Sequence, residues 1–432
     1  MDWMNRVKDR VISAEEAVTH IRSNQRIFLS GNVSVPKKLL SALVEYAPDN
    51  LENVEIMQAL TVGGSDYVAP NMEGHLRVNS IFISSNIREA VHEGRADFTP
   101  VMLSEFPLLF KEGILPLDVA LIHVSPPDEH GFCSFGVEVG LTKTPAESAK
   151  LIIAEVNEQM PRTLGDSFIH VNRLDYLVPS NYPLPEHAMS ESGPSEITEK
   201  IAGYCADLIP DGATMQLGIG AIPDAVLKFL YNKKNLGIHT ELFSDGVIDL
   251  VEEGIITNSE KTLHPGKILA GFIIGTQKLY DWVNDNPLIE LHPTEYVNDP
   301  FVVAKNEKMV AINSAIEVDL TGQICADSIG PKLYSGVGGQ LDFIYGASRS
   351  EGGVPMIALP SKAKEFSRIV PMLKPGAGVV TTRNHVRYVI TEYGVADLYG
   401  KTIRQRARSL INIAHPEFRD SLKKQAKELN YI

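Results

Sequence analysis

The chain has 432 residues, of which 44% are hydrophobic and 22% charged, a composition typical of a globular protein of about two or three domains. This composition excludes collagen-like, coiled-coil and disordered chains. The 40 lysines and arginines are outnumbered by 54 aspartates and glutamates. The resulting net charge of −14 excludes broad binding of nucleic acid or of an acidic membrane through the field of the whole protein.

The cysteines and the first residues of the chain indicate its compartment. Cys133, Cys205 and Cys325 lie far apart with no C-x-x-C spacing, which predicts neither a disulfide framework nor a zinc site. Charged side chains across positions 1–18 leave no signal peptide. The longest apolar run, 268–275, is far shorter than the ~20 residues of a membrane-spanning helix. We therefore expect a cytoplasmic protein that is neither exported nor embedded in a membrane.

Short apolar runs rich in β-branched residues predict buried strands along the whole chain. These runs begin at Arg26, Asp118, Leu151, Asp175, Ala213, Met309, Pro355 and Tyr388. Amphipathic segments at 36–46, 223–231 and 246–253 lie between several of them and predict helices. The alternation predicts an α/β fold with mostly parallel sheets.

Two sequence landmarks, each a short pattern of residues, occur twice in the chain at nearly the same spacing. Residues 28–43 align without a gap on 215–230, and the Asp-x-x-Gly pattern of 128–131 aligns on that of 319–322, with a cysteine following each at 133 and 325. Each segment of the first pair reads as strand, glycine turn, proline and helix. We infer two related α/β halves, with chance recurrence of both patterns as the alternative. The Pro- and Ser-rich stretch 179–194 predicts the join, so the predicted domains are 1–185 and 186–432.

The first candidate motif is the turn Leu217–Asp224, in which Gly218 and Gly220 separate a strand from a helix. Glycines allow a ligand to approach the backbone, and the free N–H groups at a helix start favour negative charge. Pro223 suits the first turn of a helix, where its missing N–H costs nothing. A tight turn without any ligand is an equally good interpretation of these residues alone.

The second motif is 237–246, a strand followed by a helix, with Glu241 lying 21 residues after Gly220. This spacing fits a carboxylate that binds a ribose hydroxyl in a dinucleotide-binding fold. It fits equally a carboxylate nucleophile presented at the carboxyl end of a strand. A capping or surface glutamate is the ordinary alternative, and His239 on the same strand face is interpreted as a packed residue.

The third motif is the glycine-rich stretch 335–343, which predicts close approach of the backbone to a ligand and N–H groups for an oxyanion; a structural loop is the alternative. Residues 361–409 carry ten basic residues against three acidic ones, which suits a polyanionic small molecule or a solvated basic face. Zinc-protease, serine-hydrolase and P-loop sequences do not occur.

These motifs, in this order, resemble the class I coenzyme A transferases and, within them, the acetyl-CoA hydrolase/transferase family. The resemblance covers essentially the whole chain and is nearest to the 4-hydroxybutyrate and butyrate CoA-transferases. It is carried by Gly218–Gly220, Thr240–Gly246, Tyr296–Pro300, Asn313–Leu320 and Gly338–Phe343. It implies two α/β domains of similar topology, with the active site at their interface and the catalytic glutamate in the second domain.

The resemblance also implies roles for individual residues. Glu241 matches the nucleophile, and the backbone N–H groups of Ile219 and Gly339 match the oxyanion hole. The CoA-binding positions correspond to Gly218, Ile219, Gly220, Ala221, Ile222, Ser335, Gly339 and Lys364. No metal and no permanently bound cofactor is implied, because CoA enters as a thioester substrate. A homodimer acting on acyl-CoA and small carboxylic acids is expected.

The implied reaction moves CoA between carboxylic acids through a glutamyl-CoA thioester. Within the family, an acyl-CoA hydrolase is the alternative, in which water takes the place of the second acid. From the residues alone, an NAD-dependent oxidoreductase also fits G-x-G followed by an acidic residue, although Pro223 replaces the third glycine. A CoA-sensing binding protein would keep the glycine turns but would not need Glu241.

Overall fold

The computed structural model describes residues 3–187, 194–218 and 220–432. It divides into two compact units, Met1–His187 with Leu269–Val297 and Ala188–Ile268 with Asn298–Ile432. Residues 188–193 of the predicted join, together with Ile219, lie outside the described residues.

The α-helices and strands are numbered in chain order. The helices are α1 Trp3–Arg6, α2 Ala14–Val18, α3 Lys37–Asn50, α4 Arg88–His92, α5 Phe106–Lys111, α6 Lys143–Ser148, α7 Glu196–Asp207, α8 Ala221–Lys228, α9 Gly246–Glu252, α10 Gln277–Val283, α11 Thr294–Val297, α12 Pro300–Val303, α13 Gln340–Arg349, α14 Ile403–Ile413 and α15 Pro416–Glu428. The strands are β1 Arg26–Leu29, β2 Val54–Gln58, β3 Leu76–Ser80, β4 Asp97–Phe98, β5 Val119–Val124, β6 Phe132–Ser134, β7 Leu151–Asn157, β8 Phe168–His170, β9 Tyr176–Ser180, β10 Thr214–Leu217, β11 Gly237–Phe243, β12 Ile268–Ile273, β13 Ile289–Leu291, β14 Met309–Asn313, β15 Glu317–Asp319, β16 Ile324–Cys325, β17 Ser328–Ile329, β18 Lys332–Leu333, β19 Val354–Ala358, β20 Lys362–Ala363, β21 Phe366–Ser367, β22 Ile369–Val370, β23 Tyr388–Thr391 and β24 Gly394–Asp397.

Parallel sheets form the centre of each unit, which confirms the predicted α/β class. In the first unit the strand order is β4-β3-β2-β1-β5-β7-β9, with every neighbouring pair parallel. In the second unit β11-β10-β14-β19-β23 are parallel, and β24 is added antiparallel to β23. The central strands β5 and β14 are almost completely buried because helices cover both faces of such sheets.

The division of the chain differs from the predicted one in a single segment. Residues 269–297, assigned from the sequence to the second domain, group with the first unit. The reason is backbone pairing, since the N–H of Gly140 donates to the carbonyl of Gly271 at 2.8 Å and the N–H of Leu291 donates to the carbonyl of Leu164, also at 2.8 Å. Pairing between residues so distant in sequence leaves no local pattern from which the grouping could be predicted.

The repeated landmarks adopt the same geometry in both units. Asp128 accepts hydrogen bonds from the backbone N–H groups two and four residues later, both at 2.9 Å, and Asp319 does the same at 2.9 and 3.0 Å. Each aspartate is followed after three residues by a glycine with positive φ, Gly131 at 89° and Gly322 at 96°. The two segments thus form the same aspartate-capped turn, as related halves would, and Asp and Gly at this spacing also favour such a turn locally.

Candidate active site

Glu241 lies near the carboxyl end of β11, the strand next to β10 in the second unit. Side chains alternate along a strand, so Glu241 shares a face with His239. His239 is fully buried, with its Nδ1 2.9 Å from Asn306 Nδ2 and its ring edge-on to Phe343. The structure therefore supports the packed role that we predicted for His239, whereas Glu241 keeps part of its surface exposed.

Two hydrogen-bond donors converge on the Glu241 carboxylate. Asn298, which is fully buried, donates from Nδ2 to Oε2 of Glu241 at 3.0 Å. The backbone N–H of Gly339 also donates to the carboxylate. A Cβ atom on Gly339 would lie 2.1 Å from Glu241 Oε2, so only glycine lets the backbone approach this closely. Glu241 is thus held as an acceptor by one side-chain amide and one peptide.

Burial raises the pKa of Glu241 to about 7, and the hydrogen bonds from Asn298 and Gly339 oppose that rise. Burial acts in this direction because it disfavours the charged form, whereas donors stabilise it. The side chain is therefore a carboxyl group that titrates near neutral pH. A strongly perturbed acid held by two hydrogen-bond donors is a candidate functional carboxylate, and a higher pKa makes its ionised form the stronger nucleophile.

The packing of α12 against α13 fixes the two donors relative to each other. Asn298 immediately precedes the Asp299 cap and α12, and Gly339 is the N-cap residue of α13. A Cβ atom on Gly346 of α13 would lie only 2.5 Å from Val303 Cγ1 of α12, so the helices approach closely. The start of α13 also directs the positive end of its dipole toward the carboxylate.

The predicted glycine turn adopts the expected strand–turn–helix form between β10 and α8. Gly218 is half-buried, whereas Gly220 and Ala221 are exposed and Ile222 is buried. Gly220 has φ 118°, which an L-residue rarely adopts, and the space where a Cβ atom would stand is open. The described part of the turn therefore presents the backbone of Gly220 to an open region. Ile219, the second predicted oxyanion donor, lies outside the described residues.

The remaining predicted positions lie elsewhere in the second unit. Ser335 is half-buried, with its Oγ 3.4 Å from the carbonyls of Ala326 and Gly336. Lys364 is exposed at the turn of the β20–β21 hairpin, with φ 50°.

Several cations of the basic stretch 361–409 serve the fold. Lys362 pairs with Glu417 at 3.1 Å and Lys374 with Glu317 at 3.4 Å. The Arg387 guanidinium lies over the ring of Tyr388. The stretch is therefore not one free basic surface, and Lys364 is the cation of the predicted site, with an exposed side chain.

Asn298 is the residue of this site that sequence reasoning missed. It lies inside the quoted segment Tyr296–Pro300, but 57 positions separate it from Glu241, and no spacing rule joins a loop asparagine to a strand carboxylate. A signal existed in the sequence, since Asn-Asp-Pro predicts a helix start that needs only one capping side chain, Asp299. Because Asp299 supplies the cap, the side chain of Asn298 was available for another role.

The duplicated first unit has no counterpart of this carboxylate. In the second unit Met215 pairs with Ile238, and at the equivalent place in the first unit Phe28 pairs with Met57. The residue three positions after Ile238 is Glu241, whereas the residue three positions after Met57 is Leu60, which has φ 40°. Among the described residues, a carboxylate therefore occupies this position in the second unit and not in the first.

Comparisons with known proteins agree with this description. The chain matches the acetyl-CoA hydrolase/transferase N-terminal domain over residues 2–184 and the C-terminal domain over residues 275–426. It is 54% identical to the 4-hydroxybutyrate coenzyme A transferase of Clostridium kluyveri, covering 99% of this chain and 100% of that protein. The crystal structure of a 4-hydroxybutyrate CoA-transferase from Porphyromonas gingivalis is 41% identical, has a TM-score of 0.85 and covers 99% of this chain and 100% of that one. An acetyl-CoA hydrolase of Neurospora crassa is more distant, at 25% identity over 96% of this chain and 88% of that protein.

Proposed function

Because the chain belongs to the acetyl-CoA hydrolase/transferase family, we propose that it transfers coenzyme A between a short-chain acyl-CoA and a second carboxylate, with Glu241 as the nucleophile. The acyl donors are 4-hydroxybutyryl-CoA, butyryl-CoA or similar thioesters, and acetate or another short acid is the acceptor. The observation that carries the proposal is the Glu241 carboxylate, held by Asn298 and Gly339 and titrating near neutral pH.

The reaction requires four exchanges at carbonyl carbon. The Glu241 carboxylate attacks the thioester carbonyl, the C–S bond breaks, and a mixed anhydride and CoA thiolate form. The thiolate attacks the glutamyl carbonyl of the anhydride, which releases the first acid as carboxylate and leaves a glutamyl-CoA thioester. The second carboxylate attacks this thioester, forming a new anhydride and thiolate. Attack by the thiolate on the new acyl carbonyl then releases acyl-CoA and restores Glu241.

The protein positions the reacting groups and stabilises the negative charge that develops on the carbonyl oxygen. Each attack builds negative charge on a carbonyl oxygen, and a preset backbone donor such as the Gly339 N–H stabilises that charge. The exposed backbone at Gly220 and Ala221 and the exposed Lys364 supply donors and positive charge for CoA phosphates. Excluding water protects the anhydride and thioester, so that the energy of the thioester is kept in the product.

Transfer and hydrolysis are separated by the fate of a labelled acid. We expect that unlabelled butyryl-CoA and carbon-13 acetate, incubated with the protein, give acetyl-CoA labelled in its acyl group, detected by mass spectrometry. Release of CoA and butyrate without labelled acetyl-CoA would instead indicate the hydrolase. The 54% identity to a transferase, against 25% to a hydrolase, favours transfer.

Removing the Asn298 amide is expected to move the pH dependence of transfer. In Asn298→Leu the carboxylate loses a donor to its charged form, so the pKa of Glu241 rises above about 7 and less nucleophile is ionised at neutral pH. The acid limb of the kcat profile shifts to higher pH, and the rate at neutral pH falls about tenfold. Asn384→Leu, at an exposed asparagine, serves as control. An unchanged acid limb in Asn298→Leu would contradict this role.

Compartment and assembly remain proposals. None of the helices in the described ranges combines the length and the apolar character that crossing a membrane requires. We propose a homodimer, in line with the family resemblance, and light scattering combined with size-exclusion chromatography measures its mass directly.

A further inference from the structure

A buried amide at the first position of α13 is unused in the reaction described above. The side chain of Gln340 is 8% exposed, and both of its polar ends are bonded. Its Nε2 donates to the backbone carbonyl of Ser314 at 2.6 Å, and its Oε1 accepts from the hydroxyl of Thr381 at 3.1 Å. A buried amide is costly unless both ends are satisfied, so this side chain has one stable arrangement.

The two partners of Gln340 lie beside strands of the second unit. Ser314 directly follows β14, the strand between β10 and β19. Thr381 is fully buried, and its carbonyl accepts from the N–H of Ile324 at 3.0 Å in an antiparallel bridge. The backbone carbonyl of Ser314 can only accept a hydrogen bond, which requires the NH₂ end of the amide there and fixes its orientation. Gln340 thus joins α13 to the central sheet and to a second strand pair.

The backbone just before Gln340 has few side chains that could anchor it, since Val337 is the one residue of 336–339 that is not glycine. Gly336, Gly338 and Gly339 occur within four positions, and Gly338 has φ 60°. Such a stretch has wide conformational freedom in the absence of other restraints. Gly339 has no room for a side chain because of Glu241 and Asn298. The first side chain after Gly339 is therefore the nearest one that can hold its peptide in place, and it is the doubly bonded Gln340.

We propose that Gln340 is a positioning residue, which through Ser314 and Thr381 holds the Gly339 N–H against the Glu241 carboxylate and so orients the nucleophile. This inference rests on the proposed function in so far as Glu241 is the nucleophile. Loss of the anchor loosens the Gly339 donor. Because that donor lowers the pKa of Glu241, loosening it leaves more of the carboxyl protonated at neutral pH.

Other ionisable groups do not account for such an effect. The titratable side chains on the elements around Glu241 are His239 on β11, Asp299 before α12, and Asp342, Tyr345 and Arg349 in α13. The influences on the pKa of Glu241 are burial, the Asn298 amide and the Gly339 N–H, and none of these five side chains is among them. A shift in Gln340 variants would therefore report on the Gly339 contact.

The test uses Gln340→Leu, which removes both hydrogen bonds, and Thr381→Val, which removes one without changing the shape of the side chain. We expect kcat for transfer to fall about 10- to 100-fold in Gln340→Leu and less in Thr381→Val, because small displacements of a catalytic group are costly. KM for the acyl-CoA should stay within about twofold, because this amide is proposed to act on the nucleophile. The acid limb of the kcat profile should move to higher pH in both Gln340→Leu and Thr381→Val, whereas Thr381→Ser should keep the wild-type profile. Thr391→Val is the matched control, since it removes a buried hydroxyl on β23 that donates to the carbonyl of Ile413 in α14.

A second readout does not depend on turnover. Water-soluble carbodiimide labels protonated carboxyl groups, and mass spectrometry follows labelling of Glu241 across pH. We expect labelling to persist to higher pH in Gln340→Leu and Thr381→Val than in the wild type and in Thr391→Val. Identical Glu241 titrations in all four proteins would overturn the positioning role. If Gln340→Leu fails to fold, Thr381→Val and Thr381→Ser still decide the question, and absence of transfer by the wild type would count against the proposed function instead.

Discussion

Glu241→Ala is expected to abolish CoA transfer while the chain still folds and binds CoA. Without the carboxylate neither the anhydride nor the glutamyl thioester can form, so kcat should fall by at least about 10⁴-fold, as for other enzymes that lose a nucleophile. CoA binding should persist, because the glycine turn at Gly218–Ile222 is untouched. Initial rates, a thermal melt and calorimetric titration with CoA measure the three properties separately.

Two variants sharpen this expectation. Glu241→Gln preserves the size of the side chain and should be as inactive as Glu241→Ala, which separates nucleophilic chemistry from packing. Glu252→Gln neutralises an exposed glutamate on the neighbouring helix α9 and should keep wild-type activity. Substantial transfer by Glu241→Gln, in a preparation free of deamidated protein, would show that the reaction does not pass through this side chain.

Gly339→Ala is expected to cause the second largest loss of activity, and the cause is steric. The backbone of Gly339 has φ −92°, which alanine adopts without strain. The added Cβ atom, however, would lie 2.1 Å from Glu241 Oε2 and 2.4 Å from Asn298 Nδ2, so both groups must move away from the peptide. Loss of one preset donor and displacement of the nucleophile should lower kcat by about 10²- to 10³-fold.

The control for this substitution is another glycine of the same unit. Gly203 lies within α7, and the nearest atom to an added Cβ there is Phe229 Cε1 at 3.9 Å. Gly203→Ala should therefore keep full activity and raise stability slightly, since alanine favours a helix by about 1 kcal/mol over glycine. Activity of Gly339→Ala within twofold of wild type would mean that the close approach of this peptide to Glu241 is unimportant.

Most strands of the sheet centres and the edge strand β9 could be predicted from the sequence, whereas β2, β3 and β4 were missed. Met309–Asn313 and Tyr388–Thr391 agree residue for residue with the predicted runs, because both faces of these strands are covered and the run is continuously apolar. β3 was missed because it alternates buried and exposed positions, and Arg77 within it pairs with Asp97 at the surface. Polar residues interrupt the pattern on which the prediction depended.

The candidate site likewise combines residues that local sequence patterns could predict with residues whose roles depend on contacts distant in sequence. Glu241 and the glycine turn each lie at the end of one strand, so their spacing along the chain was enough to predict both as candidate site residues. The family resemblance then favoured a nucleophilic carboxylate over one that binds a ribose. The roles of Asn298 and Gln340 follow from contacts with residues 57 and 26 or more positions away. Such contacts depend on helix packing against the sheet, which no local pattern records.

The most direct test of this account is to trap the covalent intermediate. Incubation with butyryl-CoA, followed by borohydride or hydroxylamine and peptide mass spectrometry, should place the alcohol or hydroxamate on Glu241. The adduct should require the acyl-CoA and should be absent from Glu241→Gln. A wild-type protein that turns over butyryl-CoA yet carries no adduct at Glu241, or carries it on another residue, would contradict the glutamyl-CoA mechanism.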